Sequence, residues 1–349
     1  MIKSLKLPFV MVAAGTICLP VSGLAQDLRA VTLNGLVEVE ATGSETFAGV
    51  KSSDITLATV EIAIGAQINS AVDATIVLLH EDDDTEPMEL DVGIIRIHPE
   101  GAPFIIEAGR LYVSFGRFET NLISDPLTHE IAETREAAIS FGVTAGGFYG
   151  SFYTFNGEID EAGANAGEDL QFGAALGFAM EGEGTALDVG VGYISALNDS
   201  DTLQERFDMD GDGIYSAIQN YVGGYSAHLA YSQGPLNVIA EYVTAADPFD
   251  SAELTFNGQG AEPSAYNLEL GYNFELGGKA ATLAIAQQAT DESQALGLPE
   301  TRALLGLSME LYEATCLAAE FARDEDYSVN DGGTGNSANT FTLQLAVSF

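Results

Sequence analysis

Arginine is scarce in this sequence, yet Arg96, Arg110, Arg117 and Arg135 fall within forty positions of one another, interspersed with Glu107, Glu119, Asp125, Glu130, Glu133 and Glu136. Guanidinium and carboxylate groups on facing sides of a narrow aqueous passage create a transverse field that sorts solutes by charge. Arg110, Arg117, Glu119, Asp125, Glu133 and Arg135 are therefore the candidate lining of a pore constriction. A plainer chemistry competes with this one. Arg117 and Arg135 could pair locally with the same carboxylates and simply hold a loop, because a buried arginine normally has a partner.

A second constellation, Asp208, Asp210 and Asp212 followed by Gly213, carries the first carboxylates and the turn glycine of a calcium loop. Gln219 stands where the bidentate Glu belongs, and no flanking helices are expected. A structural Ca²⁺ staple thus competes with a solvated acidic turn, and no other cofactor is implied. Catalysis finds little support. His80, His98, His129 and His228 fall in separate strands or connections, and although His228 shares a strand face with Ser226, no third partner can be named. Cys316 has no metal partner at useful spacing.

Composition narrows the setting. The 349 residues carry 52 acidic against 12 basic side chains, a formal charge of −40. Such a surface repels a polyanion, so nucleic acid is excluded as a partner. A mean hydropathy of +0.13 excludes disorder, which pairs high charge with low hydrophobicity. At the N-terminus, Lys3 and Lys6 precede an apolar run from Leu7 to Leu19 and the small-residue site Gly23-Leu24-Ala25. Residues 1–25 therefore read as a cleaved secretory signal, and residues 26–349 as one domain.

The elements that must position the charged groups are strands. Phe341, Leu343, Leu345, Val347 and Phe349 alternate with Thr342, Gln344, Ala346 and Ser348, and Tyr266 to Leu276 repeat the pattern. Reading this alternation along the chain predicts sixteen strands, near 31–40, 55–68, 71–80, 89–97, 104–112, 135–144, 148–155, 169–180, 186–196, 220–231, 236–245, 264–276, 280–289, 301–311, 314–323 and 340–349. Short turns and long acidic loops alternate between them. That rhythm is what a closed antiparallel transmembrane β-barrel requires, with short periplasmic turns at one rim and long extracellular loops at the other. The opposite strand face is small or polar, as at Gly173, Gly177, Gly190 and Gly192, which suits a lumen better than a packed soluble interior. Tyr221 and Tyr231, ten residues apart on one expected strand, would mark the two aromatic girdles of a membrane belt. The localisation implied is the outer membrane of a Gram-negative bacterium, with lipid and lipopolysaccharide as surroundings.

Sixteen strands enclose water, whereas about eight would fill with side chains, so passive diffusion of small solutes is the expected role. The stretch from Glu107 to Phe141 adds a resemblance. Phe115-Gly116, then Ser124-Asp125-Pro126-Leu127-Thr128, then Glu133-Thr134-Arg135 resemble the signature region of the LbtU-type siderophore porins. Ser114 stands where that pattern has Pro, and Ala132 where it has Gly. The resemblance implies an outer-membrane channel linked to uptake of ferric siderophores without a plug domain. The other readings are a general cation-favouring porin, and a non-conducting surface barrel used for adhesion. Acidic loops such as Glu81 to Glu86, Asp199 to Asp212 and Asp324 to Asp326 are expected to form a negative crown at one mouth. Homotrimers are common among sixteen-stranded porins, but nothing in this sequence specifies one.

Overall fold

Strands form where apolar and polar residues alternate, and in the computed structural model they close on themselves. The structure describes residues 31–82, 88–163, 170–208 and 215–349; the predicted signal at 1–25 and the calcium-loop residues Asp210 and Asp212 lie outside them. The first half contributes β1 (Val31–Glu45), β2 (Lys51–Asn69), β3 (Val72–Glu81), β4 (Glu89–Ile97), β5 (Phe104–Tyr112), β6 (Arg135–Ala145), β7 (Phe148–Asn156), β8 (Leu170–Gly182) and β9 (Thr185–Ile194). The second half contributes β10 (Gly224–Gln233), β11 (Leu236–Ala245), a small hairpin of β12 (Thr255–Phe256) and β13 (Gln259–Gly260), then β14 (Ser264–Leu276), β15 (Lys279–Asp291), β16 (Thr301–Tyr312), β17 (Thr315–Glu325) and β18 (Ser337–Ser348). All but β12 and β13 pair antiparallel in one closed ring, in which β1 meets β18.

The exterior is apolar. Ile139, Phe141 and Val143 of β6 are exposed while Glu136, Ala138 and Ser140 are buried, and the same alternation runs through β14 and β18. A closed ring leaves no strand edge unpaired, and exposed Leu, Ile, Val and Phe on its outer face are stable only in lipid, so this is an outer-membrane barrel. Among the described residues no helix is long and apolar enough to cross a membrane.

Two expectations need correction. Strands β1 and β2 outrun the alternation read from sequence, so the loop expected at 41–54 shrinks to 46–50. Tyr221 is not on a strand, because β10 begins at Gly224; its hydroxyl donates to the Ile159 carbonyl at 2.8 Å inside the barrel. Tyr225 and Tyr242 are outward aromatics near the long-loop end instead.

The glycines of the inner face are accounted for by neighbouring rings. A methyl group at Gly173 would overlap Tyr153, and one at Gly177 would overlap Tyr149. Small residues on β8 therefore make space for side chains of β7 and leave less open lumen than their size suggests.

Candidate functional site: a loop across the lumen

The connection between β5 and β6 is too long for a hairpin, and its sequence alternates apolar residues with backbone-bonding polar ones. It folds into the barrel and lies against the far wall. Its short helix α1 (Leu127–Ala132) starts after Pro126, and Leu127, Thr128, Ile131 and Ala132 are buried. In the ring, β15 stands opposite β5, and the loop is fastened along the arc from β10 to β17.

Three inward glutamates do most of the fastening. Glu241 on β11 accepts from the backbone of Arg117 at 2.6 Å and Phe118 at 3.0 Å, and from the Thr128 hydroxyl at 3.0 Å. Glu269 on β14 accepts from Thr120 Oγ1 at 2.7 Å and the Asn121 backbone at 2.8 Å. Glu320 on β17 accepts from the Ile123 backbone at 2.6 Å and Ser124 Oγ at 2.5 Å. Gln288 on β15 takes the Leu127 amide at 3.1 Å, and Ser226 on β10 the Gly116 amide at 3.2 Å. All three glutamates are buried. Buried carboxylates persist only with donors around them, and loop amides and hydroxyls supply those donors here. Leu122 completes the contact by packing on Leu304, Ala286 and Ala322.

The arginines are committed. Arg117 Nε meets Glu119 at 2.9 Å and its Nη2 meets Asp188 of β9 at 3.1 Å. Burial opposes the Arg117 charge, but Glu119 and Asp188 outweigh it and hold its pKa above the ordinary arginine value. Asp188 also accepts from the Tyr149 hydroxyl at 2.7 Å, with His228 at 3.4 Å. Arg135 bridges Glu89 at 2.8 Å and Asp91 at 2.6 Å on β4, where Tyr112 also donates to Asp91. Glu133 ends α1 and pairs with His129 at 2.9 Å. Burial opposes the His129 charge, yet the hydrogen bond and charge of Glu133 lift its pKa to about 9. Arg110 corrects the expected constriction. It pairs in register with Ala137 and Gly93, Ala137 shares the outward face of Ile139, and Arg110 is itself exposed, so it points away from the lumen.

Asp125 remains exposed beyond the last glutamate and lies within electrostatic reach of Glu38 on β1. Glu38, Glu40 and Glu61 occupy the inner faces of β1 and β2 and keep partial exposure. Gln344 of β18 donates to Glu40 at 2.8 Å. By contrast, the extracellular half of the lumen beside β6 to β14 is filled by a dry core. Phe115, Leu127 and Ile131 of the crossing loop pack there with Tyr153, Phe155, Ile159, Leu197, Leu203, Ile218 and Leu254.

The expected negative crown is thus partly drawn inside: Asp199 is fully buried. A helix, α2 (Asp201–Phe207), ends directly before Asp208, in place of the helix-free turn expected there. Among the described residues no three His, Cys, Asp or Glu side chains are grouped to hold a metal. The wall glutamates that grip the loop escaped sequence reading. Glu269 is legible as a polar-face residue between Leu268 and Leu270, but only the path of a loop 148 positions away gives it a role.

A closed sixteen-stranded ring with an inward loop is the architecture of outer-membrane porins. No family model matches the chain. It is 27% identical over 360 residues to a "UPF0422 protein" of Legionella pneumophila (strain Lens), covering 93% of this chain and 67% of that one. A "UPF0422 protein" of Coxiella burnetii is 25% identical over 319 residues, covering 89% and 68%. Among solved structures, an anion-selective porin from Comamonas acidovorans superposes with a TM-score of 0.63 at 13% identity, covering 92% of this chain and 100% of that chain. The outer membrane channel DcaP of Acinetobacter baumannii gives 0.62 at 11% identity, covering 92% and 97%. At such identities the likeness concerns the fold alone.

Proposed function

We propose that the barrel is a passive outer-membrane channel, without a plug domain, whose open half admits small cationic and neutral solutes. One observation carries the reading: Glu38, Glu40 and Glu61 cluster on the inner faces of β1 and β2 with Asp125 in electrostatic reach of Glu38, while Arg96, Arg117, Arg135 and Arg302 are each paired with a carboxylate. Carboxylates lining a low-dielectric passage concentrate cations and exclude anions. Surrounding lipid and lipopolysaccharide fit the apolar exterior. Reversal potentials of the purified protein in planar bilayers under a KCl gradient test this. A potassium preference that falls in Glu38→Gln/Glu61→Gln supports it; chloride preference contradicts it, and absence of conductance favours the adhesion barrel.

Ferric siderophores are the second reading, favoured by the stretch from Glu107 to Phe141. Uptake of a ferric siderophore by a deletion strain decides it: accumulation at the parental rate would leave only the general channel.

A further inference from the structure

Above the crossing loop, the segment from Leu197 to Phe207 is built into the barrel with an electrostatic conflict at its centre. It is anchored at both ends. Leu197 donates to the Val222 carbonyl at 2.6 Å and Asn198 accepts from the Val222 amide at 2.7 Å. Leu203 and Phe207 sink into the dry core. The Asp201 amide donates to the Glu133 carbonyl at the end of α1, at 2.9 Å, and Gln204 donates to Glu136 of β6 at 2.7 Å. The segment therefore sits directly on the constriction loop.

Its carboxylates are poorly provided for. Asp199 is fully buried; Oδ1 accepts from the Ile159 amide at 3.1 Å and the Glu158 amide also stabilises the carboxylate, but Oδ2 lacks a well-formed hydrogen bond of its own. Ser200 Oγ and Asn198 Nδ2 beside it are likewise buried without partners. The charged groups that act most strongly on Asp199 include Glu158 and Asp160 after β7 and Glu136 on β6, all acidic. Asp201 faces Glu133, with Arg135 and His129 as the opposing cations. A buried carboxylate with only backbone donors and like charges around it is relieved by a proton.

We propose that residues 197–207 form a proton-fastened lid, which binds the constriction loop tightly when Asp199 and Asp201 are protonated and loosens when they ionise. Burial, the first cause in each case, raises the pKa of Asp199 to about 7 and of Asp201 to about 6, from 3.8. The folded lid therefore holds protons that the released segment gives up. Lid stability is greatest below the ordinary Asp value of 3.8 and is lost as pH rises from there through about 6 for Asp201 and about 7 for Asp199. His129, with its pKa of about 9, works in the same direction, since the Glu133 pair beneath the lid weakens at higher pH.

Hydrogen exchange of the full-length protein in liposomes, corrected for intrinsic rates, measures lid opening independently of what the pore conducts. One linked proton shifts an opening equilibrium by up to about tenfold per pH unit within its window. The protection of residues 197–207 is expected to fall by roughly tenfold or more between pH 5.5 and pH 8.5, while that of β14 stays constant. Asp199→Asn, which keeps the Ile159 bond, is expected to retain most of that protection at pH 8.5. Heat-modifiable migration in gels verifies that the variant barrel folds. Lid protection that does not change with pH, or that increases with pH, would overturn the proposal. So would an undiminished pH response in Asp199→Asn/Asp201→Asn.

Discussion

On the side of β6 to β14 the inward side chains of the barrel meet a dry core made from its own loops, whereas on the side of β1 to β3 they meet solvent and one another's charges. Both sides use the same pleated wall and the same inward, small-or-polar alternation. The difference lies in what the adjoining loops carry. The connections after β5, β7, β9 and β11 contain Phe115, Ile159, Leu203 and Leu254, which can be buried only by turning inward. The turn after β1 is only five residues long, and its Phe47 and Val50 stay outside that core. The space left open thus lies to one side, and in the proposed channel selectivity rests on the few carboxylates left facing it.

The strongest way to break this comparison is to release the loop that divides the halves. Glu241→Ala/Glu269→Ala leaves loop amides and hydroxyls without acceptors, at about 1–3 kcal/mol for each buried group. Single-channel conductance is expected to rise severalfold, and an unchanged value would mean that the loop does not set the aperture. Next in size is Gly173→Ala, whose methyl group collides with Tyr153 at the base of the filled half. A loss of about 1–3 kcal/mol is expected in urea unfolding of the folded barrel. The corresponding change at Gly43, where nothing lies within 4 Å, should be nearly silent. A smaller effect is expected from Asp125→Asn, which should weaken potassium preference by less than twofold, because Glu38, Glu40 and Glu61 remain. The smallest belongs to Arg110→Ala, for which conductance and ion preference should match the parent, since the residue faces outward. A shift there would return Arg110 to the lumen.

How much of this was legible in the sequence follows from the range of the forces involved. Strict alternation in segments such as Tyr266 to Leu276 is a local signal and placed the strands, the lumen face and the sixteen-fold count within a few residues. The segment around Ser124-Asp125-Pro126 was recognisable as an ordered turn. What escaped was non-local. Arg110 reads as a pore residue until the register of β5 against β6 sets its side, because a one-residue change reverses every side chain. Arg117 pairs with Glu119, a partner the local sequence offers, but its second partner, Asp188 of β9, is 71 positions away and invisible to local reading. The loops read as a solvated crown because acidic residues dominate their composition, while Leu197, Leu203 and Ile218, which decide where they go, are too sparse to form a pattern.

The eccentric pore can be tested most directly by cysteine accessibility in the folded channel, with Cys316→Ser as background. Glu61→Cys places a thiol in the open half and Ala138→Cys places one on the inner face of the filled half. A charged methanethiosulfonate added to a conducting bilayer is predicted to cut the current through the first variant and leave the second untouched. Block of the Ala138→Cys channel, with Glu61→Cys unaffected, would put the ions on the wrong side of the loop and contradict the account.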